Sequence, residues 1–528
     1  MRAPAQPLTA DRAVALIPDN ATVAVSGFVG AGHPELLTAA LEAHFLATGS
    51  PRGLTLVYCA GQGDRDRRGL NHFAHQTLLR RVIGGHWNLA PKLGAMALAN
   101  EIEAYNLPQG ILCVLLREIA AGRAGTFTKV GLNTFVDPLH TGGKLNARTT
   151  EDLVERVQLD GETWLRYRPF PVHVALLRAT RADRRGNLSV EDEGLVGEIL
   201  PMAQAARNHG GLVIAQVEEI VDCIEDPKAV RVPGILVDCL VESRGDLHDQ
   251  TFAEPFNPDY VRSGDPPEPA PMGFCHRRLI AHRALREIRP GEIVNLGIGL
   301  PEGVAPLAAE YGRLRDFTLT VESGPVGGLP AGGLSFGCSA RPEAIIDQPA
   351  QFDFYDGGGL DIAILGAVEV DACGSVNVAS IGNRFAGVGG FVNIAQNARR
   401  VVFCLTLTAG EIAVSAEAGQ LRILSEGRHP KFVPELRHVC FHGPSALQRG
   451  QQVLYITERA VFELVAGGLS LVEIAPGIDL ERNVLARMGF RPAVSPSLRP
   501  LVLGDSLAHP PPRPAVAAAL HPPFRAVT

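Results

Sequence analysis

Short apolar runs separated by glycine-rich turns recur along the chain, and their alternation predicts strands that lead into helices. Thr22-Val23-Ala24-Val25 and Ile293-Val294-Asn295-Leu296 are strand-like runs that each reach a glycine turn and then a proline, Pro34 or Pro301. Each reads as strand, turn and helix, because proline suits the first helical position, where an N–H would have no intrahelical acceptor. After Pro34, Leu36, Leu37, Ala40, Leu41 and Phe45 recur at helical spacing, with Gly49 and Gly312 as candidate C-terminal stops. Phe317-Thr318-Leu319-Thr320-Val321 is a further β-branched run, and it ends on a lone carboxylate, Glu322, followed by Ser323-Gly324-Pro325-Val326-Gly327-Gly328. Glycines there allow close approach of a ligand to the backbone.

The same patterns recur in the same order, which predicts two related halves. Val174-Ala175-Leu176-Leu177 with Asp183 and Gly186 parallels Ile362-Ala363-Ile364-Leu365 with Asp371 and Gly374. Ala203-Gln204-Ala205-Ala206-Arg207 precedes Leu212-Val213-Ile214-Ala215 as Ala395-Gln396-Asn397-Ala398-Arg399 precedes Val401-Val402-Phe403. The first half carries extra sequence after Ala60. Pro, Asp and Gly concentrate between Asn257 and Pro271, as in an exposed linker. The expected organisation is an N-terminal domain 1–256, a linker 257–274, a C-terminal domain 275–500 and a Pro-rich tail 501–528. The fold class is α/β, with two related open domains that meet at a shared site.

A length of 528 residues exceeds one ordinary core. The formal charge of −7 and the lack of a Lys/Arg cluster argue against nucleic acid and acidic membranes as partners. Nine cysteines occur singly, with no Cys-x-x-Cys pair, which favours a reducing compartment over a disulfide framework or zinc ribbon. No apolar run approaches about 18 residues, and the first residues lack the apolar stretch of a secretory signal. A cytoplasmic, soluble protein is expected.

Two glycine turns could cradle an anion on free backbone N–H groups: one contains Gly27, Gly30 and Gly32, the other Gly297 and Gly299. Neither matches a P-loop or a Gly-x-Gly-x-x-Gly fingerprint, which counts against an ATPase or a dehydrogenase. His72 and His75 could share a helix face, but no third ligand accompanies them, so no metal is expected. No Gly-x-Ser-x-Gly segment stands between a strand-like run and a helix-like one, the context a serine hydrolase elbow needs, so no serine hydrolase is suggested.

From Asp316 to Ala409 the chain resembles the family I coenzyme A transferases, and most closely the fused propionate, acetate and 3-ketoacid CoA-transferases. Their catalytic glutamate lies in a Val-Glu-Ser-Gly segment, matched here at Val321 to Gly324. The resemblance implies that Glu322 is the nucleophile and that the active site lies between the halves. It implies that Gln109, in Leu107-Pro108-Gln109-Gly110, donates to the oxyanion. A backbone N–H of Gly389 or Gly390 would donate to the same oxygen, in the cluster Gly387-Val388-Gly389-Gly390 that lines the pantetheine path. Gly27, Gly30, Gly32, Gly297, Gly299 and Gly387 are the expected coenzyme A contacts. Ser26 and Asn133 stand where much of the family has glycine, and Asn133 is a candidate for narrowing the acyl site. The implied activity is reversible coenzyme A transfer between short acyl groups, with acyl-CoA and short-chain carboxylic acids as partners and no tightly bound cofactor. A homo-oligomer, dimer or tetramer, is expected. Two other readings remain: an acyl-CoA hydrolase on the same fold, and a non-catalytic nucleotide- or sugar-binding module.

Overall fold

The computed structural model describes residues 5–382 and 384–503. Most of the proline-rich stretch expected as a tail, 504–528, lies outside the described residues.

The first half is built on a sheet whose strands are β1 (Gln6–Pro7), β2 (Thr22–Val25), β3 (Leu54–Tyr58), β4 (Leu79–Gly84), β5 (Glu103–Asn106), β6 (Val174–Asp183), β7 (Leu212–Val221) and β8 (Cys239–Glu242). They lie in the spatial order β1-β8-β7-β6-β2-β3-β4-β5, parallel at every step. The second half has a parallel run of β9 (Ile293–Leu296), β10 (Thr318–Thr320), β11 (Ile362–Gly366), β12 (Arg400–Cys404) and β13 (Gln452–Ile456), in the order β10-β9-β11-β12-β13. That order repeats β3-β2-β6-β7-β8 strand for strand. The register repeats too: Val23 pairs with Leu56 and Val174, and Val294 with Leu319 and Ile362. The extra sequence of the first half supplies β4, β5 and a three-stranded antiparallel sheet, Thr126–Thr128, Val154–Leu159 and Glu162–Tyr167. The fold is therefore the expected α/β, built twice.

Parallel strands buried on both faces need apolar side chains at nearly every position, and β2, β3 and the opening Val174 to Leu177 of β6 supply them. The helices include α1 (Glu35–Thr48), α2 (Gln109–Ala120), α3 (Ile199–Asn208), α4 (Gln348–Asp356) and α5 (Phe391–Asn397). Gly49 closes α1 in the left-handed region at φ 71° and donates to Phe45 O. One apolar core runs through both halves, joining Ile111, Leu112 and Leu115 of α2 to Phe352 and Tyr355 of α4 and Val392 of α5.

The start of the linker is pinned. Tyr260 is buried and donates to Glu254 (2.6 Å), and Asp259 pairs with Arg341 at 2.7 Å. At the C-terminal end, Leu501 and Leu503 pack into the second-half core, and Leu501 N–H donates to Ile474 O, so packed chain continues past residue 500.

Gly110 shows how closely the halves approach. A Cβ at this position would lie 2.4 Å from Phe352 Cδ1 and 2.7 Å from Asn393 Nδ2, both from the other half. Elsewhere in a helix, Gly→Ala stabilises by about 1 kcal/mol; here overpacking should cost about 1–3 kcal/mol. Gly110→Ala is expected to lower the melting temperature in a thermal denaturation experiment, and a rise would show that the contact is slack.

Candidate active site

Glu322 leaves the end of β10 on a turn that only glycine can complete. Gly324 sits at φ 131°, and a Cβ there would lie 2.0 Å from Ile346 O. Ser323 is buried and donates its hydroxyl to Gly337 O, so the serine fastens the turn. Glu322 is 9% exposed, and Asn295 of β9 places its Nδ2 3.5 Å from Oε2. Among the described residues no Lys, Arg or His pairs with this carboxylate within 4.0 Å. Burial raises its pKa above the ordinary carboxyl value, against the opposing hydrogen bonds from its own backbone and Asn295.

Asn295 is itself held by a small polar network. Its Nδ2 lies 3.3 Å from Thr320 O and 3.5 Å from the Tyr355 hydroxyl, which donates to Thr320 Oγ1 at 2.8 Å and accepts from Gln351 at 2.9 Å.

The first half brings Gln109 to the same place. It opens α2, its backbone N–H donates to Gly389 O at 2.9 Å across the interface, and its side chain is 2% exposed. The amide Nε2 is buried without an acceptor. A buried donor with nothing to donate to costs about 1–3 kcal/mol, so its orientation calls for a ligand oxygen. Gly389 donates its own N–H to Gly85 O at 2.7 Å, whereas the N–H of Gly390 has no acceptor among the described residues. A Cβ at Gly390 would lie 3.5 Å from Glu322 Cγ, and one at Gly389 3.5 Å from Gln109 Oε1. The pair therefore separates the carboxylate from the amide.

A cavity of about 610 Å³ opens over these groups, with walls from both halves. Gly297 and Gly387 lie in its wall, together with Glu322, Gln109, Gly389 and Gly390. Gly27, Gly30 and Gly32 do not. A Cβ at Gly30 would meet Leu334 O at 2.4 Å, and those at Gly27 and Gly32 would meet His33 N and Leu195 Cδ1 at 3.0 Å. Neighbouring protein atoms crowd these three glycines, and the turn presents Phe28 and Val29 to the cavity. Gly299 lies outside this wall; its carbonyl accepts from Arg277 at 2.8 Å.

Three sequence-level readings take on physical explanations. Ser26 is buried, donates to Gly32 O (3.1 Å) and accepts from Arg178 N–H (3.2 Å). Asn133 is at φ 62°, a conformation that glycine and asparagine tolerate, and it donates to Ser445 (2.9 Å) outside the cavity wall. His72 and His75 both face Glu42 (2.6 and 2.5 Å), and His72 also meets Glu35 at 3.0 Å, so their nitrogens belong to an ion-pair network.

The sequence reading passed over Asn295, Lys431 and His86, all in the cavity wall. Asn295 had a signal: a polar residue inside an apolar strand. Lys431 donates to Ala367 O at 2.9 Å, and burial lowers its pKa to about 8. Burial, with the nearby Arg65 charge, holds His86 neutral at about 4.

A family model described as "Coenzyme A transferase" matches residues 8–243. Over 498 residues, 93% of each chain, the protein is 41% identical to the acetate CoA-transferase YdiF of Escherichia coli O157:H7. It is also 41% identical to the caffeate CoA-transferase of Acetobacterium woodii over 506 residues, 94% of this chain and 96% of the relative. The crystal structure of the YdiF apoenzyme from E. coli O157:H7 superposes with a TM-score of 0.90 at 39% identity, covering 97% of this chain and 99% of the other. The chain belongs to the coenzyme A transferase family, in its fused two-domain form. It is an acyl-CoA:carboxylate CoA-transferase. No helix among the described residues is long and apolar enough to cross a membrane.

Asn295→Leu should raise the pKa of Glu322 further, because it removes the one side-chain donor near the carboxylate and leaves burial unopposed by it. Infrared difference titration of the carboxylate band would check the direction; an unchanged midpoint would show that Asn295 does not act on Glu322.

Proposed function

We propose that the protein moves coenzyme A between short acyl groups through a glutamyl-CoA thioester on Glu322. The carboxylate oxygen attacks the acyl-CoA carbonyl, the C–S bond breaks, and an acyl-glutamyl anhydride and CoA thiolate result. The thiolate then attacks the glutamyl carbonyl, leaving the thioester on Glu322 and releasing the first acid as its carboxylate. An incoming carboxylate runs the two steps in reverse. One thioester replaces another, so no other energy source enters, and covalent catalysis divides the exchange into easier acyl transfers.

The observation that carries this reading is that the unpaired Gln109 Nε2 and the free N–H of Gly390 belong to residues that line one cavity with Glu322. Two pre-aimed donors suit the oxyanion of each tetrahedral state. The bond from Gly389 N–H to Gly85 supports Gly390 over Gly389 as the backbone donor. A carboxylate with no cation beside it has no ion pair to break before it attacks, and its raised pKa makes it a stronger nucleophile. Gly297 and Gly387 in the wall are proposed contacts for the pantetheine arm. Gly27, Gly30 and Gly32 are better explained as packing turns. A cytoplasmic location and a homo-oligomeric state, dimer or tetramer, belong to the same reading, as does a preference for acetyl, propionyl, butyryl and acetoacetyl groups. The crystal structure described as a YdiF thioester complex with CoA, at 39% identity and a TM-score of 0.90, supports the covalent step. The caffeate enzyme is as similar as the acetate enzyme, so competition among acyl-CoAs should include an aromatic one.

Incubation with acetyl-CoA and no acceptor is expected to leave CoA mass on the peptide containing Glu322, read by peptide mapping. A CoA adduct on another residue would reject the assignment, and steady acceptor-free turnover would favour the hydrolase reading. Gln109→Ala should lower kcat by about 100- to 1000-fold, the usual effect of losing one oxyanion donor, with little change in melting temperature. Wild-type turnover in that variant would remove Gln109 from the site.

A further inference from the structure

The register of the two halves maps the active site onto a second place in the molecule. Val23 corresponds to Val294 and Leu56 to Leu319, so Cys59, three residues beyond Leu56, occupies the position of Glu322. The runs Ala203 to Arg207 and Ala395 to Arg399 place Gly197 and Glu198 opposite Gly389 and Gly390. Gln348 opens α4 as Gln109 opens α2. The interface bond is repeated as well: Gln109 N–H donates to Gly389 O at 2.9 Å, and Gln348 N–H donates to Gly197 O at 3.0 Å.

The counterpart residues do meet. Ligand-type atoms of Cys59, Cys113 and Glu198 all lie within 4.8 Å of one another, and Gln348 Nε2 lies 2.9 Å from Cys113 Sγ. Cys59, Cys113, Glu198 and Gln348 are all fully buried. No close polar partner meets either carboxyl oxygen of Glu198, which faces the Cys59 thiol, and Gln348 Oε1 has no partner. In the functional copy Gly390 leaves open space beside the nucleophile; here a glutamate side chain fills it.

We propose that Cys59, Gln348 and Glu198 form a second, closed counterpart of the active site, in which Glu198 is a wedge that positions α2 and α4. The correspondence with Glu322, Gln109 and Gly390 rests on the proposed function, but the wedge itself rests on burial and register. A fully buried carboxyl without a cation favours its uncharged form. Burial accordingly takes the Glu198 pKa from 4.5 to about 8. The titratable groups facing it are the thiols of Cys59 and Cys113, both raised by burial. Arg117, one turn beyond Cys113, is engaged by Asp353 at 2.7 Å, and α4 offers only the uncharged Gln348.

The test does not depend on turnover. With the folded pKa above the unfolded one, the stability contributed by protonated Glu198 is complete below pH 4.5 and is lost as pH rises through about 8. Melting curves of wild type and Glu198→Gln should therefore diverge in favour of the variant across that range, because the amide never ionises. Glu198→Gly should open the wedge and let iodoacetamide alkylate Cys59 on native protein, while wild type stays unlabelled there. Parallel melting curves, or ready alkylation of Cys59 in wild type, would overturn the proposal, as would stoichiometric zinc by elemental analysis, which would make the cluster a metal site. Loss of the CoA adduct on Glu322 with these results intact would instead reject the proposed function alone.

Discussion

The contact on which the site depends is the docking of α2 and α4 across the interface, each anchored by its first backbone N–H to a carbonyl of the other half. An α-helix leaves its first N–H groups without intrahelical acceptors. Here those orphan donors, on Gln109 and Gln348, join the halves by reaching Gly389 O and Gly197 O. The bond that ties down the Gln109 backbone also brings its side chain beside Gly389 and Gly390, so interface geometry and site geometry are one quantity. Packing leaves little play, as the closeness of Gly110 to Phe352 shows.

Across this interface the carboxylate of Glu322 is kept under electrostatic tension. Desolvation raises its pKa, one distant amide donor opposes the rise, and no cation neutralises it. A salt bridge would stabilise the resting protein and would have to be broken before the attack proposed for this carboxylate. The polar groups that are present, Gln109 Nε2 and Gly390 N–H, are unsatisfied in the free protein. Their interaction energy is therefore available for charge that develops on the substrate, which is the condition for binding a transition state more tightly than a ground state.

Much of this was legible in the sequence because it depends on local pattern. Alternating β-branched runs, glycine turns and helix-opening prolines gave the strands and the repeated order of the halves. Glu322 and Gln109 stood out through short segments that resemble a family. What remained hidden depends on contacts distant in sequence. The turn around Gly27, Gly30 and Gly32 has the composition of an anion cradle, but Leu334, Phe252 and Leu195 fill the space beside it, and no local rule foretells that. Gly389 and Gly390 are alike in sequence, and only the bond to Gly85 distinguishes them. Asn133 looked like a substrate contact, yet it answers a backbone need at φ 62°. Asn295 was visible as a polar residue in an apolar strand, but its meaning required the strand order that sets β9 beside β10.

Duplication explains why the two halves are so alike and why their chemistry is not. The same strand order presents one carboxylate and one thiol at equivalent positions, Glu322 and Cys59. The difference lies in what stands opposite. A glycine beside Glu322 leaves room for a substrate at a backbone donor; a glutamate beside Cys59 fills that room with its side chain, and burial favours its uncharged form. The first half also adds β4 and β5, which carry the chain through His86 to Gln109 and so build the cavity wall facing Glu322. On the proposed function, reactivity follows from the space that Gly390 leaves open as much as from Glu322 itself.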